Sequence, residues 1–180
     1  MKSITVLIPV FLLACSSPRE HLPVCQVDPP IDSYGNPGKY GMTFYTDVEA
    51  AKQCASSTGR KILLMFMGYA TAAVEGQEWK ILRETEVREI IDDQFILVVL
   101  YVDNPALIPV TDSSETGDSL YPVQTIGSRW SALQVRNFET NSQPYYVVTD
   151  TSLKAIVPGL GYTKDAEVFS EMLSTSLEKH

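Results

Sequence analysis

Ile62-Leu63-Leu64-Met65-Phe66-Met67 and Phe95-Ile96-Leu97-Val98-Val99-Leu100-Tyr101-Val102 are two unbroken apolar runs of strand length. Neither alternates with polar residues, so both faces of each strand need cover, the condition of a parallel sheet with helices on both sides. Between them Glu75 to Asp93 is charged and helix-compatible, with Trp79, Leu82, Val87, Ile90 and Ile91 as its apolar positions. A strand, helix, strand unit of this spacing predicts a right-handed crossover and parallel neighbours.

Upstream, Thr46-Asp47-Val48-Glu49 places a Thr three residues before a Glu, the capping-box signature of a helix start. Val48, Ala51 and Ala55 share one face of that helix, and Gly59 closes it as a residue tolerant of the left-handed conformation. Downstream, residues 104–125 carry Pro105, Pro109 and Pro122 and an acidic stretch from Asp112 to Asp118, the composition of a long surface insertion. A helix over Ile126 to Asn137 is expected to bury Trp130 and Leu133. Tyr145 to Thr149 and Ala155 to Val157 read as two strands joined by the turn at Asp150-Thr151-Ser152, hence antiparallel. A last helix from Lys164 to Leu177 aligns Phe169, Leu173 and Leu177. The predicted order is helix, strand, helix, strand, helix, strand, strand, helix, with no internal repeat.

The chain opens with Met1-Lys2-Ser3 and an eleven-residue apolar run, Ile4 to Ala14, ending against Cys15. Such a run is too short to span a bilayer as a helix and has the layout of a secretory signal peptide. Leu12-Leu13-Ala14-Cys15 resembles the lipobox of bacterial lipoproteins, although Leu13 is bulkier than usual at its place. The resemblance implies cleavage before Cys15 and its lipidation. Residues 16–41 hold five prolines and three glycines without apolar periodicity, the composition of an extended spacer. The expected organisation is a signal peptide at 1–14, a lipidated N-terminus and tether at 15–41, and a folded domain at 42–180. That domain would sit in the bacterial cell envelope, periplasmic or associated with the outer membrane.

The chain has 180 residues, 44% of them apolar and 20% charged, which suits one packed domain. With 14 Lys and Arg against 22 Asp and Glu the net charge is −8, so the chain has no cationic excess to neutralise a phosphate backbone. Nucleic acid is not an expected partner, and overall composition offers nothing to an anionic membrane surface. Three cysteines and two histidines, His21 and His180, lack the clustered spacing of a zinc site. No metal and no cofactor are expected.

The element order, the turn Phe66-Met67-Gly68-Tyr69, the LVVLYVD segment from Leu97 to Asp103, and Asn141-Ser142-Gln143-Pro144-Tyr145-Tyr146 together resemble the thioredoxin-like domain of exported thiol:disulfide interchange proteins. The likeness covers about residues 42–178. It implies an α/β thioredoxin-like fold with a central mixed sheet flanked by helices. It also implies a cis peptide bond before Pro144, a geometry that costs an X-Pro bond only about 0.5–1 kcal/mol.

The departures bear on chemistry. In the family a Cys-x-x-Cys follows the Gly-Tyr turn after one residue, and its first thiol attacks disulfides as the thiolate. Here Thr71 and Val74 stand at those positions. A threonine hydroxyl is a poor nucleophile without an activating base, and the folded segment contains no histidine ahead of the terminal residue. The acidic residue often found inside the preceding strand is replaced by Met65. Of the remaining cysteines, Cys54 lies in the first helix and Cys25 in the tether. They could pair with each other in an oxidising compartment, stay as separate free thiols, or bridge to another chain.

Several residues have structural readings that outweigh functional ones. Trp79 and Trp130 read as core or half-core. Glu75 and Glu78 read as first-turn carboxylates that meet the helix dipole. Tyr145 and Tyr146 alternate across a strand, which sends one ring to the core and the other to the groove beside Pro144. The leading expectation is a redox-inactive thioredoxin-like lipoprotein that binds an envelope protein or peptide. Its groove would comprise Gly68, Tyr69, Thr71, Val74, Gln143, Pro144 and Tyr145. The alternatives are a thiol:disulfide oxidoreductase or redox accessory that uses Cys25 and Cys54, and a structural spacer within a larger complex.

Overall fold

In a computed structural model, which describes residue 25 and residues 41–68, 79–108 and 123–179, the two apolar runs form β1 (Lys61–Met67) and β2 (Phe95–Tyr101). They pair in parallel, from Lys61 opposite Phe95 to Met67 opposite Tyr101. β3 (Tyr145–Thr149) pairs antiparallel with β1, from Phe66 opposite Tyr145 to Ile62 opposite Thr149, so the sheet order is β2-β1-β3. Expectations at Cys15, Tyr69, Thr71, Val74, Glu75, Glu78 and the Asp112 to Asp118 stretch lie outside the described residues.

The helices are α1 (Val48–Thr58), α2 (Thr85–Gln94), α3 (Ile126–Phe138) and α4 (Ala166–Glu178). Strand alternation sorts the core into two layers. Leu63, Met65, Met67, Leu97, Val99, Tyr146 and Val148 face Val87 and Ile91 of α2 and Phe169 and Leu173 of α4. Ile62, Leu64, Phe66, Ile96, Val98, Leu100 and Val147 face Val48, Ala51, Cys54 and Ala55 of α1, with Trp130 and Leu133 of α3 half-buried beside them. Trp79 is wholly buried in the first layer, tilted against Phe44 at 5.5 Å between ring centroids. The double cover explains why neither strand alternates in polarity.

Four local expectations need correction. Asp47, not Thr46, caps α1: its carboxylate accepts from the amides of Glu49 at 2.8 Å and Ala50 at 3.0 Å. A charged acceptor there meets both the free amides and the positive end of the helix dipole. The single helix expected over 75–93 is interrupted: helical residues 79–82 end in a turn at 83–84, and α2 starts afresh at Thr85. The polar run Arg83-Glu84-Thr85-Glu86 has no apolar side chain to hold a straight helix against the sheet.

The strand expected at Ala155 to Val157 is absent as a strand. The chain does return antiparallel to β3, but through isolated bridges of Ala155 to Thr149 and Leu160 to Tyr146. Pro158 lacks an amide hydrogen and so breaks a continuous ladder. The last helix starts at Ala166, two residues later than Lys164, because the Asp165 carboxylate caps it by accepting from the Glu167 and Val168 amides. One element was not anticipated: Tyr45 bridges β2 in parallel, donating to Leu97 O and accepting from Val99 N at 2.8 Å each.

Candidate functional site

Of the expected groove residues, Gly68, Gln143, Pro144 and Tyr145 are described, and they lie together at the C-terminal end of β1. Phe66 is the register partner of Tyr145, so continuing the antiparallel ladder sets Gly68 opposite Gln143, with Pro144 between Gln143 and β3. The Gln143-Pro144 peptide bond is cis. Gly68 and Pro144 are buried, Gln143 is exposed and Tyr145 is half-buried. The described part of the site therefore offers mainly the Gln143 amide, the backbone around the cis bond and the edge of Tyr145.

The loop that carries the cis bond is tied down from below by a residue with no obvious signal in the sequence. Gln134 of α3 is completely buried. Its amide nitrogen donates to Ser142 O at 2.8 Å, and its amide oxygen accepts from Gln143 Nε2 at 3.1 Å. Gln143 Nε2 also donates to Asn141 O at 2.6 Å. A buried primary amide must find partners for both ends, and Gln134 finds them in the two residues that precede Pro144. Glu139, in the left-handed conformation at φ 54°, ends α3 and turns the chain into this loop.

The two tyrosines behave as the alternation predicts for one of them. Tyr146 is buried in the first core layer, edge-on to Phe169 at 4.9 Å. Tyr145 points to the other layer, where its ring lies between Phe66 and Phe138 at 6.5 and 6.2 Å. Burial pushes its phenol pKa up, and a hydrogen bond from the Gly159 backbone partly offsets that rise. Tyr145 is a neutral wall of the site at physiological pH.

Cys25 and Cys54 form a disulfide across a sequence separation of 29. Cys54 is completely buried and Cys25 half-buried. Cys54 belongs to the second half of α1, which runs through Gly59 into the N-terminal end of β1. Pro144 lies beside the opposite end of that strand, and a seven-residue strand is about 20 Å long. Among the described residues no group of three or more His, Cys, Asp and Glu side chains converges to hold a metal ion.

No family model and no curated protein matches the chain. Among solved structures it is similar to one described as a DsbH oxidoreductase, with 12% identity over 90% of this chain and 95% of that chain and a TM-score of 0.54. A disulphide isomerase from Xylella fastidiosa Temecula1 is matched with 17% identity over 80% of this chain and 87% of that chain, at a TM-score of 0.37, too loose to carry weight. The first likeness, with parallel β1 and β2, antiparallel β3, helices on both faces and a cis-proline leading into β3, identifies the chain as an α/β protein of thioredoxin-like fold.

Proposed function

We propose that this chain is a redox-inactive thioredoxin-like lipoprotein of the bacterial cell envelope, anchored through Cys15, whose groove beside Pro144 binds an extended protein or peptide. The observation that carries this reading is the Cys25–Cys54 disulfide. Once Cys15 is lipidated, these are the remaining cysteines, and they are joined to one another toward the far end of β1 from the cis-proline. At the positions where the family carries its catalytic pair stand Thr71 and Val74, which cannot exchange disulfides. What remains is a cis-proline loop braced by Gln134, with the backbone polar groups and the exposed Gln143 side chain to offer an extended partner.

The competing reading, a thiol:disulfide oxidoreductase acting through Cys25 and Cys54, draws on the description of the DsbH structure and on the disulfide itself. Complete burial of the Cys54 side chain weighs against it, because exchange needs in-line access of a thiolate to sulfur.

Reduction of insulin disulfides by the mature chain, beside its Cys25→Ser and Cys54→Ser variants, tests the chemistry. Turnover at the dithiol background supports the proposal, and turnover lost with either cysteine overturns it. Binding is tested by a photo-crosslinking residue at Gln143 in cells. Adducts with envelope polypeptides that disappear in a Gln134→Ala background are expected.

A further inference from the structure

Four of the described cations of this acidic chain come together. Arg60, Lys61, Lys154 and Lys179 line one open cleft of about 790 Å³, together with Ser56, Gly59, Thr151 and Asp150. The cleft lies at the N-terminal end of β1, at the opposite end of the sheet from Pro144. Three nearby acids offset part of this charge. Asp150 accepts from the Ser152 amide and hydroxyl and from the Lys154 amide, within its own turn. Asp92, which pairs with Arg88 at 3.3 Å, and Asp93 both attract Arg60 through their fields, and Asp150 attracts Lys154 in the same way, so the four cations keep a positive excess that is smaller than their number.

Two of the cations already serve the fold. The Arg60 guanidinium donates to Ile91 O and Asp92 O at the end of α2, and Lys61 Nζ donates to Ser176 O and Lys179 O at the end of α4. Their charges stay at the cleft wall, while Lys154 and Lys179 are exposed at its rim.

The same end of the domain receives the tether. Cys54, joined to Cys25, immediately precedes the cleft residues Ala55 and Ser56 on α1. Ten peptide steps separate Cys15 from Cys25, whereas 27 separate it from Met42. The disulfide thus cuts the maximum reach from an anchor at Cys15 to the domain from about 90 Å to about 35 Å.

We infer that this cationic cleft docks on anionic phospholipid headgroups of the membrane that holds the chain, leaving the Pro144 end directed away from the bilayer. The inference rests on the lipid-anchored reading above. An acidic chain, of net charge −8 over its full sequence, is repelled by an anionic leaflet in most orientations, so a concave end lined by four cations selects the orientation. The Ser56 and Thr151 hydroxyls in the cleft supply neutral donors for phosphate oxygens.

The test is lysine acetylation of the full acylated chain, reconstituted through its own anchor into phosphatidylcholine vesicles with or without about one-third phosphatidylglycerol, and read by mass spectrometry. Lys154 and Lys179 are expected to react about fivefold more slowly on the anionic vesicles, while Lys80 and Lys164 react equally on both. Lys154→Ala should abolish most of the protection of Lys179. Cys25→Ser, which lengthens the tether, should lower the effective concentration about fourfold through the −3/2 power of tether length and so cut the fivefold protection to about twofold.

Equal labelling of Lys154 and Lys179 on the two vesicles, with Cys15 acylated, overturns the docking alone. A chain recovered without acyl groups on Cys15 overturns the anchored reading and the docking with it. Protection of the same two lysines by inorganic phosphate in the absence of vesicles replaces the membrane with a small soluble anion and also overturns the proposal.

Discussion

Tyr145 can lie over Gly159 only because that glycine has no side chain: a Cβ there would fall 2.1 Å from the Tyr145 hydroxyl oxygen and 2.3 Å from its ring carbon Cζ. The ring cannot swing aside freely, since Phe66 and Phe138 pack against it. Gly159→Ala is therefore expected to cost about 1–3 kcal/mol, the range for overpacking. Urea unfolding measures it. A Tyr145→Ala background should remove most of that cost, which a backbone effect at Gly159 would not.

Gln134 is the brace beneath the cis-proline loop. Gln134→Ala removes the donor to the Ser142 carbonyl and one of the two acceptors of the Gln143 amide, and is expected to destabilise by about 1–3 kcal/mol. Crosslinking from position 143 should fall in the same variant under conditions where circular dichroism shows it folded.

The Cys25–Cys54 bond closes a loop that joins the tether to α1. Its loss in Cys25→Ser is expected to lower stability by about 2–4 kcal/mol. Dithiothreitol should bring the parent chain to about the level of the variant while leaving the variant unchanged. Denaturation curves with and without reductant check both statements.

Burial acts to raise the Asp150 pKa, but hydrogen bonds from the Ser152 side chain and the Lys154 and Ser152 amides outweigh it, so the folded value lies below the ordinary one. The stability this carboxylate contributes is fully present above the unfolded pKa, near 4, and is lost as pH falls through the lower folded value. Asp150→Asn should thus be less stable than the parent at neutral pH. Urea midpoints of the two chains should converge as pH falls through that lowered folded value.

Gly127 presents the same steric logic against backbone rather than side chain. A Cβ there would meet Asn104 N at 2.4 Å and Val102 O at 2.7 Å, where α3 closes on the loop after β2. Gly127→Ala should cost at least as much as Gly159→Ala in the same unfolding assay, because main chain yields less than a ring edge.

Legibility in the sequence followed the range of the interaction. The runs 62–67 and 95–102 announced doubly covered parallel strands because a strand buried on both faces admits no polar alternation. The resemblance around Gly68-Tyr69 and Gln143-Pro144 pointed to the cis bond, which the structure carries. Boundaries set by one atom were misplaced: a carboxylate at Asp47 rather than a hydroxyl at Thr46 decides where α1 begins. The loss of a fourth strand at Pro158 went the same way, whereas the break before α2 follows the polar run from Arg83 to Glu86.

Pattern and composition by themselves determined β1, β2 and β3, the helical cover and the acidic balance, because burial of apolar surface depends on periodicity along the chain. Three matters were decided only by the tertiary structure. Cys25 and Cys54 had open alternatives until folding brought their Cα atoms to 5.5 Å. Gln134 carries no signal of its own in the sequence, and packing buries it under the proline loop. Arg60, Lys61, Lys154 and Lys179 are scattered over more than a hundred residues, and they share a cleft because β1, the turn after β3 and the end of α4 meet there. Each depends on contacts between residues far apart in the chain, a relation that no local period encodes.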